Sequence, residues 1–236
     1  MSPPLAPIPD PSKRSPHPCQ LCAARRSCLI GQLPAEQQDR LAPFQKERSF
    51  RKGQSLQGQG TEGDMLLSIK LGTVMATRQG ADGRAHPVAM LGRGHMLSLF
   101  CVLGHPTELG AEALSTGRIC EVPIAALRDQ QIIDADFTDA LYAALVRTFA
   151  SLADWGQVMR LRGLQRQLVA ALLLLAAEQG TRSVRLPSQT ALAALLSTSR
   201  ESVARTLRQL EEAGHLRRID RWHCELTTRH AEVFQG

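Results

Sequence analysis

The sequence predicts an α+β fold in which short antiparallel strands come first, a long helix follows, and a compact helical unit ends the chain. Three observations carry this prediction. Glycines recur between short apolar runs from residue 50 to 122, apolar residues repeat at heptad spacing from 141 to 159, and two short helices, the first of them capped, are expected after residue 186. Each pattern is typical of a different kind of element.

The composition is that of a folded chain whose last third is basic. Hydrophobic residues make up 43% of the 236, which is enough to build a core. Residues 160–236 hold 12 arginines, no lysine and 7 acidic residues, so that this third carries +5 of the total charge of +6. Such an excess in one terminal unit is typical of a polyanionic partner, and the alternative is an ordinary solvated surface. The longest apolar run, 168–177, is about half a membrane span, and no membrane association is expected.

Residues 1–18 contain seven prolines and no hydrophobic segment, so we expect a disordered tail there and not a secretory signal. The expected compartment is then the cytosol, where thiols stay reduced. We divide the rest of the chain into residues 19–125 with a cysteine segment and a β-roll, residues 126–162 with a long helix, and residues 163–236 as a terminal domain.

Three of the six cysteines lie within ten residues, at the spacing C-x2-C-x5-C. Two thiolates separated by a tight turn can bind the same soft metal centre, and a tetrahedral set then needs a fourth ligand from elsewhere. The spacing indicates an iron–sulfur or zinc site, with a disulfide pair or ordinary buried thiols as the alternatives. The clustered residues are Cys19, Cys22 and Cys28. The candidates for the fourth ligand are Cys101, Cys120 and Cys224.

The stretch from Phe50 to Val122 is expected to form an antiparallel barrel or roll, because short apolar runs alternate with glycine turns. Residues 80–83 (Gly-Ala-Asp-Gly) are a hairpin signal inside it. A short helix is expected within residues 33–47, and Pro123 is expected to open another helix after the roll.

The long helix is expected because six residues are spaced 4, 3, 4, 3 and 4 apart. Such a heptad seam is typical of a dimer interface, and the alternative is an amphipathic helix that packs on its own domain. The six residues are Leu141, Leu145, Thr148, Leu152, Trp155 and Met159. A buried apolar helix, residues 165–179, is expected to follow.

The end of the chain is typical of a helix-turn-helix with a wing. Ser188 can N-cap one short helix, and a second helix is expected from Arg200 to about Ala213. Two strands, at 215–218 and 223–227, are expected to form the wing.

The outward face of the second helix suits base reading in the major groove of DNA. An arginine can donate two hydrogen bonds to guanine, and a glutamate can accept one from cytosine. We expect Arg200, Glu201 and Arg205 to read bases. The expected phosphate contacts are Ser188, Gln189, Thr198 and Arg208. The alternative for this face is a solvated Glu–Arg pair.

Three stretches carry a resemblance to a known family: residues 52–56 (Lys-Gly-Gln-Ser-Leu), residues 119–123 (Ile-Cys-Glu-Val-Pro) and residues 199–207 in the reading helix. They resemble the cyclic AMP receptor/FNR superfamily of transcription regulators. With the cysteine spacing, the chain is most similar to the oxygen-sensing iron–sulfur group of the fumarate and nitrate reduction regulator (FNR). In that group the fourth ligand stands in a Cys-Glu-(Ile/Val)-Pro segment. The resemblance therefore assigns a [4Fe-4S] cluster to Cys19, Cys22, Cys28 and Cys120.

The resemblance implies a cyclic-nucleotide-binding-like β-roll, a dimerisation helix and a winged helix-turn-helix. It implies a homodimeric, oxygen-responsive activator, not an enzyme, with double-stranded DNA and RNA polymerase as partners. Residues 96–100 lack the glutamate, and residues 107–111 the arginine, of the nucleotide-binding members, so no cyclic nucleotide is expected. A zinc-stabilised or thiol-redox regulator stays open as the alternative. A cysteine-dependent enzyme is disfavoured, because we find no positioned Cys–His pair.

Overall fold

The computed structural model describes residues 19–227, and the expectations for residues 1–18 and 228–236 lie outside this part of the chain. The described elements occur in the predicted order: a β-roll, a long helix, and a helix-turn-helix with a wing. The predicted α+β fold class is confirmed.

Two four-stranded antiparallel sheets form the roll, with strand orders β1-β8-β3-β6 and β2-β7-β4-β5. The predicted hairpin joins β4 to β5, where the Gly80 amide donates to the Arg84 carbonyl at 2.8 Å and Gly83 has a φ of +74°. The strands are β1 (Lys46–Phe50), β2 (Ser55–Gln57), β3 (Met65–Leu71), β4 (Val74–Gln79), β5 (Ala85–Leu91), β6 (Met96–Leu97), β7 (Gly110–Ala113) and β8 (Gly117–Pro123).

Short helices precede, interrupt and follow the roll. The helix predicted within residues 33–47 is α2, with Pro34 at its N-cap, and Pro123 takes the same place before α4. These helices are α1 (Leu29–Gln32), α2 (Ala35–Leu41), α3 (Leu99–Val102) and α4 (Ile124–Asp129).

The long helix, α5 (Ala135–Arg160), has 26 residues and is about 39 Å long at 1.5 Å per residue. It begins at Asp134, whose carboxylate accepts from the Phe137 amide at 3.0 Å and from the Gln37 side chain at 2.6 Å. Its first half packs in one core with the cysteine segment, and its second half packs in another core with the roll and the terminal unit. The helix thus contacts both ends of the molecule.

The terminal unit is built on two serine-capped helices. The Ser188 hydroxyl accepts from the Ala191 amide at 3.2 Å, and the Ser199 hydroxyl accepts from the Ser202 amide at 3.1 Å. The elements are α6 (Leu164–Gln179), β9 (Ser183–Arg185), α7 (Gln189–Leu195), α8 (Arg200–Glu212), β10 (Leu216–Arg218) and β11 (His223–Leu226).

The wing has one strand more than the sequence predicted, since β9 pairs with β11 in the order β10-β11-β9. Helices α7 and α8 pack against each other through buried aliphatic side chains: Leu192, Leu195, Val203, Leu207 and Leu210. Within residues 19–227, no helix combines the length and the apolar character that a bilayer span requires.

Candidate cysteine centre and nucleic-acid interface

The cysteine segment, residues 19–28, is a series of tight turns. The Cys22 amide donates to the Cys19 carbonyl at 3.2 Å, the Arg25 amide to Cys22 at 3.0 Å, and the Cys28 amide to Ala24 at 2.8 Å. These turns fold ten residues back on themselves, so that the thiols of the segment reach one region of the roll.

One cavity of about 260 Å³ is lined by all four cysteines that the resemblance singled out, Cys19, Cys22, Cys28 and Cys120. Cys120 lies in β8, where its cross-strand neighbours are Glu47 of β1 and Ser68 of β3. The other two cysteines lie elsewhere. Cys101 is in α3, where its sulfur accepts from the Gly63 amide at 3.3 Å, and Cys224 is fully buried in β11.

Two thiols of this cavity, Cys120 and Cys19, are difficult to ionise without a cation. Burial raises the pKa of Cys120 to about 12, the charges of Cys28 and Cys19 act in the same direction, and Lys70 opposes them. Burial likewise raises the pKa of Cys19 to about 11. A sulfur-binding metal replaces such protons directly, so the cavity suits a soft cationic centre.

The walls of the cavity carry hydrogen-bond donors that have no protein acceptor. Among the described residues, the buried Ser68 Oγ and Gln45 Nε2 have no hydrogen-bond partner. Donors aimed at sulfur atoms are the usual second shell of iron–sulfur centres. Four thiols with such donors therefore fit an iron–sulfur cluster. Among residues 19–227, no three His, Cys, Asp or Glu side chains are arranged as the ligand set of one metal ion.

The reading face of α8 is open to solvent. Arg200, Glu201, Arg205 and Arg208 are all exposed, and within the described residues none of them forms an ion pair. The solvated Glu–Arg pair, which was the alternative for this face, is therefore not formed, and all four charged groups are accessible to a ligand.

The expected phosphate contacts lie at the helix starts. Gln189 is the first residue of α7 and is half-buried, as is Thr198 in the turn before α8. The hydroxyl of Ser188 already accepts the capping bond, so it has only its own hydrogen to donate.

The tip of the wing is a further candidate that the site prediction left out. Asp220 accepts from the backbone amides of Trp222 and His223 at 2.5 and 2.8 Å, which holds the tip in a tight turn. The Arg221 guanidinium lies 4.9 Å from the centre of the half-exposed Trp222 ring. An exposed cation stacked on an aromatic ring is suited to a sugar–phosphate backbone. The sequence signal was the Asp-Arg-Trp turn itself.

Two family matches cover the two units just described. Residues 47–131 match the family described as cyclic nucleotide-binding domain, and residues 166–231 match the Crp-like helix-turn-helix domain. The chain belongs to the CRP/FNR superfamily of transcription regulators. Members of this superfamily are DNA-binding transcription regulators, and that coarse function holds for this chain.

Individual relatives agree with this membership in the CRP/FNR superfamily. The fumarate and nitrate reduction regulatory protein of Vibrio cholerae is 27% identical over 112 residues, which are 47% of this chain and 45% of that protein. The match thus spans about half the length of this curated relative.

Two solved structures share the fold. FixK2 from Bradyrhizobium japonicum has a TM-score of 0.67 at 21% identity, covering 80% of this chain and 95% of its own. A CRP-family transcriptional regulator from Thermus thermophilus, TTHB099, has a TM-score of 0.60 at 18% identity. The match covers 79% of this chain and 94% of that protein.

The heptad seam of this CRP/FNR regulator needs a correction. Leu141 and Trp155 were expected to face a partner, but they are only 5% and 0% exposed within their own chain. The Trp155 indole N–H donates to the Met90 carbonyl of the roll at 3.1 Å, which fixes this face of α5 inward. The other four predicted positions, Leu145, Thr148, Leu152 and Met159, are half-buried.

The apolar residues that α5 leaves exposed lie one position after those of the predicted seam. Tyr142, Val146 and Phe149 are 61%, 68% and 75% exposed, and Ala153 continues the same spacing of 4, 3 and 4. We call these four residues the open stripe. Two interleaved stripes of α5 share this spacing, and the apolar residues at 141 and 155 belong to the chain's own core.

An apolar cavity of about 440 Å³ lies between the roll and α5 of this regulator. It is walled mainly by aliphatic side chains, with Leu145 and Leu152 from the helix. No arginine was expected to meet a cyclic phosphate here, yet Arg78 of β4 reaches the wall. Its guanidinium is paired with Glu108 of the same cavity at 3.3 Å. The arginine therefore already has a carboxylate partner, and both side chains are more than half exposed.

Proposed function

We propose that this CRP/FNR regulator responds to oxygen through a [4Fe-4S] cluster held by Cys19, Cys22, Cys28 and Cys120. The observation that carries the proposal is that these four thiols, and neither of the other two cysteines, line one cavity with unpaired donors around it. The cluster would supply an oxidant-sensitive centre bonded to four thiolates. Because reduced thiols are required, we place the protein in the cytosol.

The chain's own residues connect this cavity to DNA binding. Cys28 is the N-cap of α1, and α1 packs on the first half of α5. Loosening residues 19–28 therefore removes packing from the helix that carries the open stripe. We propose that the open stripe of one copy packs against the open stripe of a second copy. This dimer places two α8 helices on an inverted repeat of double-stranded DNA. A shift of this dimer equilibrium changes the DNA affinity.

The proposal includes RNA polymerase as a partner of the DNA-bound dimer and transcription activation as its outcome. It includes no cyclic nucleotide, since the only arginine found on the wall of the apolar cavity within residues 19–227 is paired with Glu108. It includes no enzymatic activity.

Protein prepared without oxygen should be brown and contain about four iron and four sulfide per chain. Metal analysis with an absorption spectrum is the measurement. A colourless protein with one zinc ion would support the alternative, a zinc-stabilised regulator. A metal-free protein with a reversible disulfide would support a thiol-redox regulator.

Arg205→Ala should relax base selection at one G·C position of each half-site. The change removes two donors to guanine, which is worth about 1–3 kcal/mol per contact. Random-site selection with the wild-type and variant proteins is the measurement. Arg208→Ala is the matched control. We expect it to weaken binding to all DNA sequences equally. We also expect the slope of log K against log salt concentration to become shallower by about one. If Arg205→Ala leaves the base preference unchanged, Arg205 contacts the phosphate backbone of the DNA and not a base.

A further inference from the structure

The loop from Gly92 to His95 lies between the cysteine segment and the end of α6. On one side, a Cβ atom at Gly94 would lie 1.9 Å from the Ser27 Oγ, and Gly94 has a φ of +87°. On the other side, a Cβ atom at Gly92 would lie 2.5 Å from the carbonyl oxygen of Glu178. Such distances leave no room for a side chain, so the loop contacts both neighbours through its backbone. A displacement of either neighbour therefore changes the position of the loop.

The carboxylate of Glu178 joins three parts of the molecule. It accepts from the Gly92 amide at 2.8 Å, from the His95 Nε2 at 3.0 Å, and from the Ser151 hydroxyl at 3.2 Å. Its backbone carbonyl also accepts from the Arg93 amide at 3.1 Å. Glu178 belongs to α6 of the terminal unit, its loop partners belong to the roll, and Ser151 belongs to α5. Both side chains of the His95–Glu178 pair are largely buried, which strengthens the bond.

A cation on α5 lies within electrostatic reach of both ends of this arrangement. Burial lowers the pKa of the Arg147 guanidinium, and the charges of Cys28 and Glu178 act against that shift. Its Nη2 atom is buried without a hydrogen-bond partner among the described residues. This guanidinium nitrogen therefore has no fixed acceptor within the described part of the chain.

We propose that Glu178 is a positioning residue that couples the cysteine centre to the orientation of the DNA-binding helices. The inference rests on the proposed function, because the signal is the state of residues 19–28. When these residues loosen, Ser27 leaves Gly94, the loop from Gly92 to His95 relaxes, and the bonds to Glu178 weaken. The bonds of Glu178 join α6 to the roll, so their loss loosens the terminal unit from the roll. Because α6 packs directly on the reading helix α8, α8 moves with it.

The readout is the ratio of DNA dissociation constants after air exposure and before it, measured with the full chain at one salt concentration. Couplings between sites are roughly 5- to 150-fold, and we expect the wild-type ratio in that range. Glu178→Gln keeps the size of the side chain but removes its charge and one acceptor. We expect this variant to retain wild-type iron and sulfide while its ratio falls below about 5-fold.

Two controls separate coupling from ordinary stability. Glu62→Gln removes the same charge from an exposed position of the roll and should keep the wild-type ratio. His95→Gln retains a side-chain donor for Glu178 and should keep most of the ratio, whereas His95→Phe has none and should lose it.

Each outcome decides the proposal. A merely structural role of Glu178 would weaken DNA binding by the same factor in both states, and an unchanged ratio in iron-containing Glu178→Gln protein would overturn the coupling alone. Wild-type protein without iron would overturn the proposed function, and the coupling with it, because no signal would then reach the loop. Metal analysis of the wild type distinguishes the two failures.

Discussion

The Cys120→Ser protein is expected to be colourless and free of iron and sulfide when it is prepared without oxygen. Cys120 is the single ligand of the proposed set that comes from the roll and not from the cysteine segment. A serine hydroxyl is a hard, weakly acidic ligand and does not replace a thiolate on a soft iron centre. With the three remaining thiols all on one ten-residue segment, the cluster has no anchor on the roll. Iron and sulfide analysis is the measurement.

Cys101→Ser is the matched control for this experiment. It makes the same one-atom change at a buried cysteine whose sulfur lies outside the cavity and accepts from the Gly63 amide, a bond that serine can also accept. We expect full iron content in this variant, and likewise in Cys224→Ala. Iron retained by Cys120→Ser, or lost from Cys101→Ser, would show that the fourth ligand has been assigned to the wrong residue.

The Phe149→Glu protein is expected to be monomeric and to lose high-affinity binding to an inverted repeat. Phe149 is the most exposed member of the open stripe, at 75%. In a symmetric dimer the change places two carboxylates in the same dry interface. An unpaired buried charge costs several kcal/mol, so dimerisation should weaken by roughly 100-fold or more. Sedimentation of protein prepared without oxygen, followed by a DNA titration, is the measurement.

Ala143→Glu adds the same charge to α5 about a quarter turn away from the open stripe, where the side chain is exposed. We expect this control to remain dimeric and to bind DNA normally. Leu145→Glu tests the seam as the sequence first predicted it. If Leu145→Glu gives a folded monomer while Phe149→Glu remains dimeric, the open stripe is not the interface and the earlier register is right.

The sequence by itself determined the local elements of this protein. The glycines at 80 and 83 placed the β4–β5 hairpin, and Ser188 was suited to start α7, because caps and turns depend on neighbouring residues alone. The C-x2-C-x5-C spacing likewise predicted a soft-metal site. It could not choose among Cys101, Cys120 and Cys224, and only the family resemblance selected Cys120 before the fold was known.

Only the tertiary structure decided which surfaces face one another. The pairing of β8 between β1 and β3 brings Cys120 to the cavity of the other three cysteines, and such strand register is set by contacts far apart in sequence. On α5 two stripes with the same spacing differ by one residue, so periodicity could not separate them. The bond from Trp155 to Met90 and the packing of Leu141 place one stripe in the core. The other stripe is left in solvent because a helix can bury only one face against its own domain.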